Sequence, residues 1–304
     1  MSSSLSGLYK LDMAERIRRV KEFAGLTDEE AQAIYSMASL KRDVADRMVE
    51  NVIGAIQIPV GVATNFLING KEYAVPMAIE EPSVVAAASN AAKMTRTKGG
   101  FHAVATRPLM VAQIQSVNVA DPYAAVQKVL AQADKIIEIS NATNPTLVKV
   151  GGGAVDLEAR VIDSSRGKMV ITEITADCKD AMGANTVNTM AETVAPLIES
   201  LIGGRVRLRI LSNLATKRLA RSWATFDKES LGGPDVVEGI LDAYAFAEAD
   251  PFRCTTHNKG IMNGISSVAL ATGNDTRAIE AGAHSYAARS GHYSSLTKYE
   301  RNAD

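Results

Sequence analysis

Lys259 lies in the run Thr255-Thr256-His257-Asn258-Lys259-Gly260-Ile261-Met262-Asn263-Gly264, a polar cluster that leads directly into an apolar helical pattern. An ammonium group there can polarise a carbonyl and hold the oxyanion that forms on it, although an ordinary surface lysine is the commoner use of this residue. Two carboxylates stand at expected helix starts: Glu81 before Pro82, and Asp275 in Gly273-Asn274-Asp275-Thr276-Arg277. Each also has an ordinary role, Asp275 as an N-cap and Glu81 as a partner of the helix dipole. A helix N-terminus lowers a carboxyl pKa, whereas a general acid at neutral pH needs it raised by burial or a neighbouring carboxylate. A third candidate is Asp180-Ala181-Met182-Gly183-Ala184-Asn185, which opens a helix and leaves backbone N–H groups for a phosphate or ribose. The ordinary alternative is an N-cap aspartate followed by a close-packing glycine. Gly151-Gly152-Gly153 can admit a ligand against the backbone or serve as a flexible loop. A GxGxxG after a strand and a GxxxxGK[ST] loop are both absent from the sequence.

The histidines His102, His257, His284 and His292 form neither HxxxH nor HExxH, so metal catalysis has no support. Arg205, Arg207 and Arg209 alternate along one expected strand and are followed by Lys217, Arg218 and Arg221. That ladder reads as a solvated face, a phosphate contact or a nucleic-acid surface, and the lack of interleaved stacking aromatics weakens the last. Lys plus Arg 33 against Asp plus Glu 34 gives a formal charge of −1, so no global field draws the chain to nucleic acid or anionic lipid. Cys178 and Cys254, without CxxC spacing, argue against a disulfide framework and suit a reducing, cytoplasmic setting. No apolar run approaches the roughly 20 residues of a membrane span.

These groups need elements to hold them. The 304 residues, 46% hydrophobic and 22% charged, suffice for one large domain or two ordinary ones. Residues 12–57 carry helical patterns such as Ala14, Ile17, Val20 and Phe23. Residues 58–79 turn to β alternation around Asn69-Gly70, a hairpin signal. Pro82 is expected at the first position of a helix running to Lys98, which Gly99-Gly100 ends. Strand patterns at 109–119, 155–162, 169–175 and 205–211, with helices at 122–142 and 182–202, give the order β-α-β-β-α-β of a ferredoxin-like domain. Further helices are expected at 236–247, 259–270 and 276–289. The expected fold class is α+β, with a large, mostly helical domain (1–106 and 214–304) split by an inserted domain (107–213).

Five segments taken together closely resemble the soluble, second class of hydroxymethylglutaryl-CoA reductases: residues 80–89, 180–188 (DAMGANTVN), 209–215 (RILSNLA), 256–265 (THNKGIMNGI) and 271–283 (ATGNDTRAIEAGA). The resemblance runs almost from end to end. It implies Glu81 as catalytic acid, Lys259 as the carbonyl-polarising cation and Asp275 as the carboxylate coupling the two. It places Ser83, Arg253, Asn263 and Asn213 around the hydroxymethylglutaryl group, and Asp180, Met182, Gly183 and Asn185 at the nicotinamide nucleotide, NADPH or NADH. It further implies HMG-CoA as substrate, mevalonate and CoA as products, and a homodimer with a shared active site or a higher oligomer of such dimers, with no nucleic acid and no membrane.

Two departures accompany the resemblance. The family's acidic residue at the adenosine ribose falls on Asn144, and a neutral amide tolerates a 2′-phosphate better than a carboxylate does. The sequence ends at Asp304, before the family's mobile flap and its catalytic histidine, which none of the four histidines matches. The expectation is therefore a reductase making mevalonate or running in reverse. Its alternatives are an impaired fragment that keeps ligand binding and, outside enzymology, a nucleic-acid binder using the Arg205 ladder.

Overall fold

The computed structural model describes residues 2–37 and 40–302. In chain order the elements are α1 (Met13–Ala24), α2 (Asp28–Tyr35), α3 (Arg42–Met48), β1 (Val60–Ile68), β2 (Lys71–Ala78), α4 (Val84–Thr95) and β3 (Phe101–Ala105). They continue with β4 (Leu109–Val117), α5 (Pro122–Leu130), α6 (Ala133–Ala142), α7 (Pro145–Lys149), β5 (Gly153–Ile162), β6 (Met169–Asp177), α8 (Ala184–Ile202) and β7 (Arg205–Leu211). The last are β8 (Ala220–Ala224), α9 (Lys228–Leu231), α10 (Pro234–Ala249), α11 (Pro251–Ala271) and α12 (Thr276–Ala287). The contacts divide the chain into a terminal unit, Met1–Ala103 with Ser222–Asp304, and an inserted unit, Val104–Arg221.

The inserted unit is a four-stranded antiparallel sheet in the order β5-β6-β4-β7. With α5–α7 between its first two strands and α8 before its last, this is the ferredoxin-like arrangement. Strand alternation sends Ala112, Ile114, Val170, Ile174 and Ala176 to one face. There they meet the stripe Val187, Met190, Ala191, Val194 and Ile198 of α8, spaced three and four residues apart. The single helix expected over 122–142 is broken at Ala131-Gln132 into α5 and α6. Asp121 caps α5 through the amides of Tyr123 and Ala124. The segment after β7 belongs with this unit through Arg221, because the Leu219 amide bonds the Thr106 hydroxyl and Lys217 reaches Glu158.

The basic ladder on β7 is not one ladder. Between the pairs Ile114↔Arg209 and Ser116↔Val206, β4 advances two residues and β7 three, so β7 carries a bulge. Arg209 is thereby turned to the helix side, where its Nε donates to Glu192 of α8 at 2.6 Å. The even spacing of Arg205, Arg207 and Arg209 therefore does not give a continuous cationic surface for nucleic acid.

The terminal unit carries more β structure than the sequence suggested. Besides the hairpin of β1 and β2, turned at Asn69 (φ 51) and Gly70 (φ 77), it has β3 and β8 in a sheet of order β2-β1-β3-β8. Neither β3 nor β8 was expected; each is five residues long, too short for a periodic signal. Helix α4 starts at Val84 instead of Pro82, because Ser83 at φ 73 is left-handed and diverts the chain before the first helical turn. Helix α11 starts at Pro251, eight residues ahead of the expected Lys259. Asp250 caps it by accepting from the Arg253 amide, and Pro251 takes the first position, where its missing N–H costs nothing.

A side-chain network ties the start of the chain to the β1–β2 hairpin. Arg96 donates to both carboxylate oxygens of Glu72, at 2.6 and 3.0 Å, and to the Asn65 carbonyl. The Ser3 hydroxyl and amide also donate to Glu72. Chiefly through Arg96, and against the effect of burial, the Glu72 carboxyl is held at about 2. A carboxyl with a depressed folded-state pKa contributes stability that is full above its ordinary value and is lost as pH falls through the folded one. Glu72→Gln should therefore lower stability at pH 7 by roughly 1–3 kcal/mol, the order expected for stranding a part-buried charge partner. Its melting-temperature deficit should shrink as pH falls from 5 toward 2, and a deficit constant over that range would count against the ion pair.

Candidate active site

Helix α11 packs against β2, α10 and α12 in the terminal unit, and its residues supply most of the candidate site. Cys254, Asn258, Met262, Ser267 and Ala269 form its buried side. Lys259 and Asn263 are one helical turn apart and so project from a shared stripe. Both reach Glu81, which stands in the short junction between β2 and α4. The Lys259 Nζ lies 2.6 Å from Glu81 Oε2, and the Asn263 Nδ2 donates to the same oxygen at 3.4 Å. Lysine and glutamate side chains remain 59% and 45% exposed, so the pair is open to solvent.

Lys259 is thus in the third turn of a helix, not at a helix start as its polar neighbours implied. Its backbone lies past the free N–H groups of the first turn, so only the side chain presents a positive charge there. Ser83 is exposed at the N-terminal end of α4, two residues from Glu81, and its side chain makes no capping bond.

Asp275 does not meet Lys259 in this structure. Its carboxylate accepts from the Ala278 amide at 3.1 Å as the cap of α12 and lies 3.2 Å from an Arg277 nitrogen. The ordinary role open to it from sequence is therefore the one its bonds fill. Arg253 stands in the first turn of α11. Asn213, Asn144, Asp180, Met182, Gly183 and Asn185 belong to the inserted unit.

In that unit α8 begins at Ala184 with Gly183 as cap at φ 99. No side chain caps this end, and the first helical amide bond is that of Val187 to Gly183. The first-turn N–H groups are therefore left for another acceptor, which is the requirement of an anion or ribose site. A Cβ on Gly183 would lie 2.7 Å from Cys178 Sγ, so close packing also fixes this glycine. Asp180 and Met182 are exposed on the turn before it. Asn144 caps α7, its Oδ1 accepting from the Leu147 amide at 3.0 Å. Among the described residues no group of three or more His, Cys, Asp or Glu side chains could hold a metal ion, and no helix is long and apolar enough to cross a membrane.

Sequence reasoning missed Asn258. It is fully buried; its Nδ2 donates to the Ser294 carbonyl at 3.0 Å and its Oδ1 accepts from the Leu296 amide at 2.9 Å. Beside it, a ring nitrogen of His257 lies 2.8 Å from the Thr297 hydroxyl. The chain after α12 is thereby strapped along α11 next to Lys259. Only an amide adjoining a histidine within an otherwise apolar stripe hinted at this.

An α+β chain holding a lysine–glutamate pair on one unit and an uncapped helix start on a ferredoxin-like unit has the parts of an oxidoreductase that uses a nucleotide. The family described as hydroxymethylglutaryl-coenzyme A reductase matches residues 12–303. The 3-hydroxy-3-methylglutaryl-coenzyme A reductase of Archaeoglobus fulgidus is 62% identical over 300 residues, covering 99% of this chain and 68% of the relative. A probable enzyme of that name from Borreliella burgdorferi is 34% identical over 294 residues, covering 94% and 65%. Among solved structures, the Streptococcus pneumoniae reductase superposes with a TM-score of 0.92 at 40% identity, over 96% of this chain and 70% of that one. The class II enzyme of that organism bound to NADPH in open conformations matches equally well, with 80% of its chain covered. This chain belongs to the hydroxymethylglutaryl-coenzyme A reductase family and spans about two thirds of the length of the two relatives named first.

Burial, with the nearby Arg253 charge, pushes the His257 pKa below its ordinary value. A histidine that resists protonation when folded contributes stability above its unfolded pKa of about 6.5 and loses it as pH falls below that. His257→Gln keeps a hydrogen-bonding group toward Thr297 but cannot titrate. Its melting temperature should fall less than the parental one between pH 7.5 and 5.5, and equal slopes would show that His257 is not the titrating group.

Proposed function

We propose that this chain carries out the NAD(P)H-dependent, two-step, four-electron reduction of 3-hydroxy-3-methylglutaryl-CoA to mevalonate and CoA, or its reverse in mevalonate breakdown. The observation that carries the reading is the Lys259–Glu81 pair, with Asn263 on the same oxygen, exposed along one side of α11. An ammonium that can hold an oxyanion and a carboxyl group that can pass on a proton, side by side, are the two groups that reduction of a carbonyl to an alcohol requires.

When bound, a reduced nicotinamide supplies one hydride per step, so the two steps consume two NAD(P)H. Lys259 would hold the oxyanion that forms on the thioester carbonyl as it becomes a hemithioacetal. Collapse of that oxyanion re-forms the C=O, breaks the C–S bond with its electron pair leaving on sulfur as the CoA thiolate, and leaves an aldehyde whose oxygen returns to the same ammonium during the second reduction. Protonated Glu81 would deliver the proton as the alcohol forms, and Asn263 would keep its carboxyl oriented. Ser83, Arg253 and Asn213 would hold the hydroxymethylglutaryl group, and Asp275 would couple Glu81 to Lys259 only if it leaves its present partners. The uncapped start of α8, with Asp180, Met182, Gly183 and Asn185, fits a nucleotide by its unbonded amides. A cytoplasmic setting belongs to the same reading.

Self-association is part of this proposal too. Met48, Val49, Ile53, Ile56, Ile58 and Val60 are exposed within one short stretch of the terminal unit, an apolar run that a second copy would cover. Sedimentation of the purified chain tests it.

Lys259→Ala should reduce the rates with HMG-CoA and with mevaldehyde by on the order of 10²–10³, because one oxyanion stabiliser serves both steps. Glu81→Gln should stop turnover while nucleotide binding stays intact. Near-parental activity in either variant, read as NAD(P)H oxidation, would overturn the assignment. Binding of both ligands by the parental chain without oxidation would instead favour a form that has lost turnover.

For the cofactor, Asn144→Asp should shift the kcat/KM ratio toward NADH, since a carboxylate accepts from a ribose hydroxyl and repels a phosphate. Aspartate also caps helices, so α7 should survive the change. An unchanged ratio would confine Asn144 to capping.

A further inference from the structure

The inserted unit contains a buried carboxylate that the proposed reaction does not use. Asp177, at the end of β6, has a side chain only 1% exposed. Arg107 donates to its Oδ2 from Nε at 3.2 Å and from Nη2 at 3.0 Å. The Lys179 ammonium lies 3.4 Å from the same oxygen, and the Lys179 amide donates to Oδ1 at 3.0 Å. Burial opposes ionisation of Asp177, yet the Lys179 amide and the two cations together hold its pKa below the usual range. The cations themselves are 62% and 38% exposed.

An ion pair of this kind, with its anion buried and its cations at the surface, adds little stability for the desolvation it demands. What it does secure is direction. Two guanidinium N–H groups are fixed on Asp177, which leaves the other donors of a planar fork facing solvent in a set orientation. Lys179 is held at φ 51, a left-handed conformation that a residue with a Cβ rarely adopts. This turn brings its ammonium over the glycine loop, where a Cβ on Gly151 would lie 3.9 Å from Nζ. The loop can close on β6 because residue 152 is glycine: a Cβ there would stand 2.7 Å from the Asp177 carbonyl oxygen. On the other side of the turn, Arg218 donates to the Met182 carbonyl at 2.9 Å, next to the uncapped start of α8. Arg107, Lys179 and Arg218 outnumber Asp177 and Asp180 here, so the turn is net positive in a chain of formal charge −1.

We propose that Arg107 and Lys179, set in place by Asp177, bind a phosphate group of the nicotinamide dinucleotide, and that Asp177 is the positioning residue of that seat. The proposal rests on the reading of this chain as a nicotinamide-dependent reductase. Its ligand chemistry is a phosphate, supplied either by the pyrophosphate bridge or by the 2′-phosphate of NADPH.

The test measures dissociation constants of NADPH, NADH and HMG-CoA for the purified chain by calorimetry, so it does not depend on turnover. Arg107→Ala with Lys179→Ala, both at exposed side chains, should weaken NADPH roughly tenfold or more, the order lost with charge-assisted hydrogen bonds, and leave HMG-CoA unchanged. Unaltered NADH binding would identify the 2′-phosphate as the partner, and equal weakening of both nucleotides the pyrophosphate. Asp177→Asn alone should weaken the nucleotide to a similar degree, and added to the double variant it should change nothing more. A merely structural Asp177 would instead lower the melting temperature and weaken HMG-CoA in both backgrounds. Parental affinity for both nucleotides in the folded double variant would overturn the proposal, as would a parental chain that binds neither nucleotide. A parental chain that binds nucleotide but never oxidises it with HMG-CoA would remove the reductase reading and leave the phosphate seat standing.

Discussion

An ammonium and a carboxylate separated by 178 positions in the sequence stand 2.6 Å apart, and the terminal unit is arranged so that they do. At the exposed surface such a pair has little strength of its own, on the order of 1 kcal/mol or less. It cannot be what brings α11 to the β2–α4 junction. The order of cause runs the other way: the buried side of α11, through Cys254, Met262 and Ala269, fixes the helix, and Ser83 in its left-handed conformation fixes the junction. The weak pair is then available for chemistry because the scaffold does not depend on it. Removing the Glu81 carboxylate from Lys259 would therefore leave the fold standing.

The inserted unit follows a different rule. Its core is contiguous and apolar, built from one face of an antiparallel sheet and the stripe of α8. Small hydroxyls such as Ser116, Ser140 and Thr172 are buried within the unit, while charged groups gather where β6, the glycine loop and the start of α8 converge. Asp177 is a charge kept dry, and its pKa is held low because Arg107 and the amide and ammonium of Lys179 donate to it. One unit therefore leaves its charged pair wet, and the other organises its cations around a dry anion.

Much of this was legible in the sequence, for identifiable reasons. The β-α-β-β-α-β order follows from alternation and helical stripes long enough to be read, and the Asn69-Gly70 hairpin from two residues that tolerate positive φ. Glu81, Lys259 and Asn263 stand out through motifs, but the oxygen at which they meet does not, since proximity across 178 residues has no local signature. The start of α11 was misplaced although Asp250-Pro251 is a strong start signal, because the polar run to Lys259 masks the apolar period. The alternation on β7 was misread for a similar reason: a bulge adds one residue without altering composition, and only the register shows Arg209 on the other face. Asn258 left only a faint sign and Asp177 none, because a buried polar residue is recognised by its partners, most of which lie elsewhere in the chain.

The strap over α11 gives the terminal unit a mechanical linkage. Both polar ends of the Asn258 side chain are bonded to backbone at Ser294 and Leu296, and His257 holds Thr297. Pulling that strap away would strand a buried amide inside the helix that carries Lys259, so the two cannot open separately without leaving polar groups unpaired. In amide exchange, residues 294–297 and the middle of α11 would behave as a single cooperative unit, slow together and released together. Strain applied to the chain beyond α12 is thus delivered one residue from the Lys259 ammonium.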